Sequence, residues 1–234
     1  ITNSLYKILR WFLPPFFCNM EKNKIKKGII LSVLFLGPLV FYIFLSLGIY
    51  HHANLPILTE KVEDVKGDVT FKTHFSVVSF LGTDIESEKG GLFNLNEVIY
   101  KRYRKSLYFQ SVLITPKGTE SQIDALKKKL KTYTDIENWK FVFMDAEEIK
   151  SLFKSFDSPY TLKDNLSSEY TFIIDRELRL RGRKDDDDTD NGRLYGYNMN
   201  SVNDLKNKMK KDIEIIYYQL KKSLEKEKRR RRKI

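Results

Sequence analysis

The chain has 234 residues, of which 41% are hydrophobic and 13% aromatic, and this apolar content excludes a globally disordered protein. The formal net charge is +11, but residues 1–27 hold six Lys/Arg against one Glu and residues 221–234 hold nine against two, which leaves residues 28–220 at −1. A nucleic-acid-binding domain carries its basic face on the folded body, so this near-neutral body argues against a nucleic-acid partner.

Residues 1–27 are predicted to form a basic N-terminal segment on the cytoplasmic side of a membrane. The chain begins with Ile1, and Met20 precedes the lysine-rich stretch EKNKIKKGIIL, which is typical of a native start. Residues 1–19 are therefore expected to be an extension outside the native protein.

A transmembrane helix is predicted at residues 28–50, from Gly28 to Tyr50. These 23 residues carry no charge, and at about 1.5 Å per residue a helix of this length crosses a hydrocarbon core of roughly 30 Å. Pro38 within it is tolerated in membrane helices. A signal peptide is the alternative, but its apolar region is shorter, about 7–15 residues, and ends in a small-residue cleavage site that LGIYHHANLP does not offer. The pattern favours an anchor in the lipid bilayer.

The charges that flank this segment predict its orientation. Four lysines precede it within residues 22–27, whereas the following flank is poor in positive charge. The positive-inside rule then places the N-terminus in the cytoplasm and everything after Tyr50 outside it, because long domains cross largely regardless of their own charge. In a Gram-negative cell this corresponds to a single-pass protein of the inner membrane with a periplasmic domain.

An extracytoplasmic domain is predicted at residues 75–222, after a linker at 51–74 and before a basic tail at 223–234. An apolar strand, 75–81, ends at Gly82, and a polar loop runs to Gly91 before a helical pattern begins at Leu92. The further predicted elements are a helix at 92–105, a strand at 108–114, a helix from Thr119, a strand at 139–144, a helix from Asp145 to Phe156, a hairpin at 169–183 and a helix from about Ser201.

Two helix starts and one helix face support this assignment. Thr119 with Gln122, and Asp145 with Glu148, have the spacing of capping boxes. Apolar residues at helical spacing predict faces that pack on a core; they are Ile123, Leu126, Leu130 and Tyr133 in one helix and Val202, Leu205, Met209, Ile213, Ile216, Leu220 and Leu224 in the last.

The resulting order is βαβαβαββα, which predicts an α/β fold of the thioredoxin-like sandwich type. A βαβ opening implies parallel strands with a right-handed crossover, and the closing hairpin adds antiparallel strands.

Cysteine and histidine content limits the chemistry of this domain. Cys18 is the only cysteine, so an intrachain disulfide and two-thiol redox chemistry are excluded. The three histidines, His51, His52 and His74, do not have the spacing of a metal site. We expect no catalytic, cofactor-binding or metal-binding residues.

Two stretches of the domain form a recognisable pattern: ENWKFVFMDAEEIKSLFKSF, residues 137–156, and SSEYTFIIDRELRLRG, residues 167–182. They resemble the Sco/SenC family of membrane-anchored copper chaperones, which assist cytochrome c oxidase assembly. The resemblance extends over about residues 75–220. It implies a thioredoxin-like fold, export from the cytoplasm and a respiratory oxidase, or its assembly proteins, as the partner.

The copper ligands of that family do not carry over to this chain. The resemblance places its Cys-x-x-x-Cys pair at about Glu86 and Gly90, and its distant histidine at about Leu166 or Ser167. Cu(I) selectivity requires soft thiolate ligands, and carboxylates are hard oxygen donors. The sequence thus indicates a degenerate member without copper or thiol chemistry.

The emptied loop then becomes a candidate partner-binding site, formed by Thr83, Asp84, Glu86 and Glu88. The functional prediction is a binding or assembly accessory in the biogenesis of cytochrome c oxidase, not an enzyme. Two alternatives stay open: the docking half of a thiol–disulfide or peroxide-handling system, and a membrane protein of unrelated function.

Three other features have competing interpretations. The loop Asp185–Asp190 resembles a calcium loop, but the EF-hand positions for Gly and Glu are filled by Asn191 and Tyr197, which favours a solvated loop. The basic tail either contacts anionic lipid or is a solvated tail. Serine and threonine nucleophiles are disfavoured because no histidine accompanies them; the candidates are Thr83, Ser87, Ser167 and Ser168.

Overall fold

The computed structural model describes residues 22–48, 54–72 and 74–232. Two compact units, Ile1–Ala53 and Asn54–Ile234, are distinguished by their internal contacts. Several sequence predictions lie outside the described residues. They are the extension at 1–19, the native start at Met20, residues 49–50 of the predicted membrane span, residues 51–53 of the predicted linker, and the last two residues of the basic tail.

Helix α1, Lys22–Gly48, is the described element of the first unit. Its segment Lys26–Leu45 is long and apolar enough to cross a membrane, by length and composition. Large apolar side chains along it are exposed, among them Phe35, at 72%, and Phe44, at 71%. The helix begins six residues before the predicted span, because lysine is a good helix former and does not end the helix.

The second unit is built on a seven-stranded mixed sheet. Its order is β1-β6-β5-β2-β3-β4, with β7 paired to β5; β2, β3 and β4 run parallel, and the other pairs are antiparallel. The strands are β1 Ile57–Thr59, β2 Phe75–Leu81, β3 Phe109–Pro116, β4 Trp139–Met144, β5 Ser167–Ile174, β6 Leu180–Arg181 and β7 Tyr197–Asn198.

Helices cover both faces of this sheet. The helices are α2 Ile85–Leu95, which continues through a π-helical turn Asn96–Tyr100 to Lys101–Tyr103, then α3 Glu120–Tyr133, α4 Ala146–Ser155 and α5 Lys210–Arg231, which follows a π-helical segment Asp204–Met209. Alternate residues of β2 enter two separate cores: Val77 packs with α2, α3 and α5, whereas Val78 packs with α4. The α/β thioredoxin-like sandwich predicted from the sequence is therefore confirmed.

The segment predicted as a linker, 51–74, belongs to the domain over its described part. Leu55, Val62 and Phe71 are buried, and β1 forms an antiparallel pair with β6. The linker prediction is wrong here, because a strand of three residues is too short to show an alternating hydrophobic pattern in the sequence. In the structure this strand forms the edge of the sheet.

The helix predicted to start at Leu92 begins seven residues earlier, at Ile85. Asp84 caps it, accepting a hydrogen bond from the Ser87 amide at 3.3 Å. Gly90 and Gly91 do not break the helix. A Cβ at Gly91 would lie 2.8 Å from the Cβ of Met199, so glycine is needed there for close packing rather than for a turn.

One capping-box prediction is confirmed and one is wrong. The Asp145 amide donates to the Glu148 carboxylate at 3.3 Å, and the reciprocal bond is also formed. The Thr119 side chain does not cap its helix; its hydroxyl donates to the Pro116 carbonyl at 2.8 Å instead. The Gln122 side chain donates to the carbonyl of Thr83, in the loop between β2 and α2. Two residues predicted on packed faces, Tyr133 and Val202, are exposed.

Candidate functional site

The loop between β2 and α2 lies against the segment that precedes β5. Gly82 has a φ of +66°, and a Cβ there would lie 2.3 Å from the carbonyl oxygen of Asn165. The Thr83 amide donates to the same carbonyl at 2.9 Å. Glycine is therefore required at residue 82, both for its conformation and for the close approach of the two backbones.

Side chains of α3 and β3 form hydrogen bonds with the backbone of this loop. The Gln122 side chain donates to the Thr83 carbonyl at 3.1 Å and accepts from the Ile85 amide at 3.2 Å. The Thr115 hydroxyl donates to the Gly82 carbonyl at 3.3 Å. Because Gln122, Thr115 and Asn165 form hydrogen bonds with its backbone, this loop is a preorganised surface. The sequence alone did not reveal these bonds.

The four predicted partner-binding residues have different environments. Thr83, Asp84 and Glu86 are exposed, and Glu86 pairs with Lys89 one helical turn away. Glu88 is only 3% exposed, and its carboxylate lies 3.6 Å from the ammonium of Lys163. The prediction of Glu88 as an accessible binding residue is wrong, because the early helix start turns it towards the segment at 163–167.

The structure brings together the two regions that the family resemblance identified. Glu86 and Gly90 are one turn apart on α2, and the segment with Leu166 and Ser167 lies against Gly82, in the loop that leads into that helix. Leu166 has a φ of +65°, and the buried Ser167 hydroxyl has no hydrogen-bond partner among the residues that the structure describes. A Cβ at Gly90 would meet no atom of the described part of the chain within 4 Å, so space for a side chain is available there.

The residues at this site do not fit a Cu(I) ion. A carboxylate, a glycine, a leucine and a hydroxyl offer no soft donor. Within the described residues there is also no group of three or more His, Cys, Asp or Glu side chains arranged to hold a metal ion. What the site presents is a small acidic surface at a helix N-terminus.

The acidic loop at 185–190 is largely solvated, as the favoured interpretation predicts, with one buried exception, Asp186. Asp186 is only 4% exposed, and the Lys208 ammonium lies 2.8 Å from its carboxylate and 2.6 Å from that of Asp188. Burial lowers the pKa of Lys208, but its hydrogen bonds to both aspartates outweigh burial and raise it. The Lys208 ammonium thus neutralises two of the aspartates and anchors this otherwise exposed loop.

A second buried ion pair, missed by the sequence analysis, lies within the hairpin and links the end of β5 to its turn and to β6. Asp175 accepts from the guanidinium groups of Arg179, at 2.8 Å, and Arg181, at 2.9 Å. Burial alone would raise the pKa of Asp175, but the hydrogen bonds from Arg179 and Arg181 outweigh it and lower the pKa below its usual value. The alternating arginines of LRLRGR were the available signal.

No protein-family model matches the chain, and no curated protein sequence matches it. Among solved structures, the chain is similar to BsSco, a member of the Sco family of cytochrome c oxidase assembly proteins. The two share 14% sequence identity with a TM-score of 0.46, and the match covers 68% of this chain and 92% of BsSco. It is also similar to copper-bound ScoI of Arabidopsis thaliana, with 20% identity, 62% and 89% coverage and a TM-score of 0.40.

A thiol:disulfide interchange protein from Bacteroides sp. is similar at 16% identity, with 55% of this chain and 78% of that one covered and a TM-score of 0.35. Likeness at these levels carries no information about activity.

Proposed function

We propose that this chain is a membrane-anchored, Sco-like protein whose thioredoxin-like domain binds a partner and performs no copper, thiol or other catalytic chemistry. The observation that carries this proposal is the site itself. The start of α2 is held rigidly by Gln122 and Thr115, it exposes Thr83, Asp84 and Glu86, and it lacks sulfur and imidazole donors. A rigid, exposed surface without reactive groups is suited to binding.

Anchoring and orientation are part of the same proposal. The apolar segment Lys26–Leu45 serves as the anchor, and the lysines that precede it place the domain outside the cytoplasm. The tether increases the effective concentration of the domain at membrane partners, so a weak interface suffices for capture.

The proposed partner is a cytochrome c oxidase or one of its assembly proteins. Support comes from the sequence stretches at 137–156 and 167–182, which resemble those of the Sco/SenC family.

The test is a pull-down with the full-length chain from its own membranes, read by mass spectrometry beside oxidase activity in a deletion strain. Glu86→Lys is expected to reduce capture at least fivefold. Glu147→Lys is the matched control: it also lies in the first turn of a helix and pairs with a lysine three residues on, Lys150. Normal oxidase activity after deletion, with no oxidase or assembly component captured, would refute the respiratory assignment.

The absence of copper chemistry is tested separately by a Cu(I) competition titration of the full chain carrying Cys18→Ser. We expect no stoichiometric retention against a strong chelator. Adding Glu86→Cys and Gly90→Cys to this chain is the positive control, because the two thiolates would lie one helical turn apart and residue 90 has space for a side chain. Retention of Cu(I) without these cysteines would contradict the proposal.

A further inference from the structure

The last helix continues well beyond the core that it packs on. Leu220 is its last buried residue, and from residue 221 to 232 only Leu224 is less than fully exposed. Residues 221–232, which we call the basic arm, contain eight Lys/Arg and two Glu and so have a net charge of +6. Eleven of its residues, 221–231, are helical and extend about 16 Å.

The chain enters the domain at the base of this arm. Asn54, the first described residue of the second unit, accepts a hydrogen bond from the Gln219 side chain at 3.0 Å. The guanidinium of Arg181 donates to the neighbouring Leu55 carbonyl at 3.1 Å and to Gln219 at 3.2 Å. The point where the tether is attached and the start of the basic arm are therefore two residues apart on α5.

The tether that leads to this point is short. Eight residues separate Leu45, the end of the apolar segment, from Asn54. Even fully extended, a chain of this length reaches only about 30 Å. Asn54 therefore stays within about 30 Å of the membrane surface. A helical arm of about 16 Å that starts beside it can contact that surface when the tether is not fully extended.

The surface around the base of the arm is also basic and aromatic. A groove of about 470 Å³ is lined by Arg102, Tyr103, Lys105, Ser106, Glu214, Tyr217, Tyr218 and Lys221. Glu214 is already neutralised by Arg102 at 2.9 Å. Tyrosine and lysine side chains combine an apolar body with a polar end, as is typical of residues at a membrane–water interface.

We infer that the basic arm binds anionic lipid headgroups of the bilayer that holds α1, and so fixes the orientation of the domain on that bilayer. This inference rests on the proposed membrane anchoring, but not on the oxidase partner. Each basic residue near an anionic surface strengthens binding roughly fivefold. A nucleic acid is the less suitable ligand, because residues 28–220 have a net charge of −1, so the folded body as a whole is not basic.

The test uses the full-length chain in nanodiscs, with Cys18→Ser and a fluorophore on Ser223→Cys, and lipids that carry a quencher near the headgroup. Co-purification with the discs verifies anchoring independently of the arm. We expect strong quenching in discs with about a third anionic lipid, little in neutral discs, and loss of the difference at high salt, because exposed charges are screened.

Replacing Arg229, Arg230, Arg231 and Arg232 by Ala is expected to reduce the anionic-lipid-dependent quenching at least tenfold. The matched control removes four exposed lysines elsewhere on the domain, Lys128, Lys129, Lys131 and Lys154, and should leave it unchanged. Equal quenching in neutral and anionic discs, or an equal loss in both variants, would overturn the inference. So would arm-dependent binding of single-stranded RNA without a response to anionic lipid.

Discussion

At the scale of single residues, Glu86 and Glu88 show how a helix assigns different roles to similar side chains. Two positions along a helix correspond to a rotation of about 200°, so the two carboxylates point to nearly opposite sides. The side chain of Glu86 is 73% exposed, whereas that of Glu88 is 4% exposed and faces Lys163. Both carboxylates interact favourably with the positive end of the helix dipole, but only Glu86 is exposed to a partner.

Charge reversal at these two positions should separate stability from binding. We expect Glu88→Lys to destabilise the domain by about 2–3 kcal/mol, because it buries a cation facing Lys163. Glu86→Lys should change stability by less than about 0.5 kcal/mol, since exposed pairs contribute little. Thermal unfolding of the detergent-solubilised chain measures both. Equal melting temperatures for the two variants would show that Glu88 is not buried in an ion pair.

The pKa of Asp175 gives a prediction for acid stability. Because this pKa is lower in the folded than in the unfolded chain, the contribution of Asp175 to stability is complete above its ordinary pKa of 3.8 and is lost as the pH falls through the lower folded value. We therefore expect the melting temperature of the wild type to fall steeply below about pH 4.

Asp175→Asn is the comparison for this pH dependence. The variant should be less stable at neutral pH, since Arg181 stays buried without its carboxylate partner. Its melting temperature should fall less steeply between pH 5 and pH 2.5 than that of the wild type. Parallel curves over this range would show that Asp175 is not responsible.

At the scale of elements, the segment from Asn54 to Lys72 adds a strand to the edge of the sheet and packs on the core of the domain. Strand β1 pairs with β6, the Thr59 hydroxyl donates to the Phe156 carbonyl at 2.6 Å, and Phe71 is fully buried. A segment with these contacts folds as part of the domain.

Truncation of Leu55 tests this assignment. Leu55 is 3% exposed, so Leu55→Ala should destabilise the domain by about 2–4 kcal/mol through lost burial and the cavity left behind. Leu107→Ala makes the same chemical change at a side chain that is 85% exposed and should have almost no effect. If the two variants unfolded at the same temperature, the segment would be a linker after all.

At the scale of the whole chain, the charges are segregated: a body of residues 28–220 close to neutrality lies between two basic ends. The first basic end precedes the apolar segment and determines its orientation in our proposal. The second is an exposed helix beside the residue at which the chain enters the domain. The same kind of charge thus has two different proposed roles, topology at one end and lipid contact at the other.

The orientation is checked by reporter fusions after Ile234, which keep the basic arm intact. Alkaline phosphatase, which is active only outside the cytoplasm, should be active in this fusion, because the lysines before Gly28 retain the N-terminus inside. A reporter that is active only in the cytoplasm should be inactive at the same position. The reverse pattern would overturn both the extracytoplasmic location and the Sco-like assignment.

The sequence by itself determined the apolar segment, the alternation of strands and helices, the Asp145 cap and the lack of sulfur in the β2–α2 loop. These features depend on composition and on periodicity over a few neighbouring residues, which can be read along the chain. It also indicated that the loop and the residues near Leu166 belong to one site, through the family resemblance, but not the contacts that join them.

Only the tertiary structure decided the burial of Glu88, the packing of residues 54–72, the role of Lys208 within the aspartate loop and the contact of Asn54 with Gln219. Each depends on partners distant in sequence, 165 residues apart in the last case. Local preference carries no information about such partners: Gln122 has the spacing of a cap yet bonds to the loop at Thr83, because a neighbouring element offers it better hydrogen bonds there.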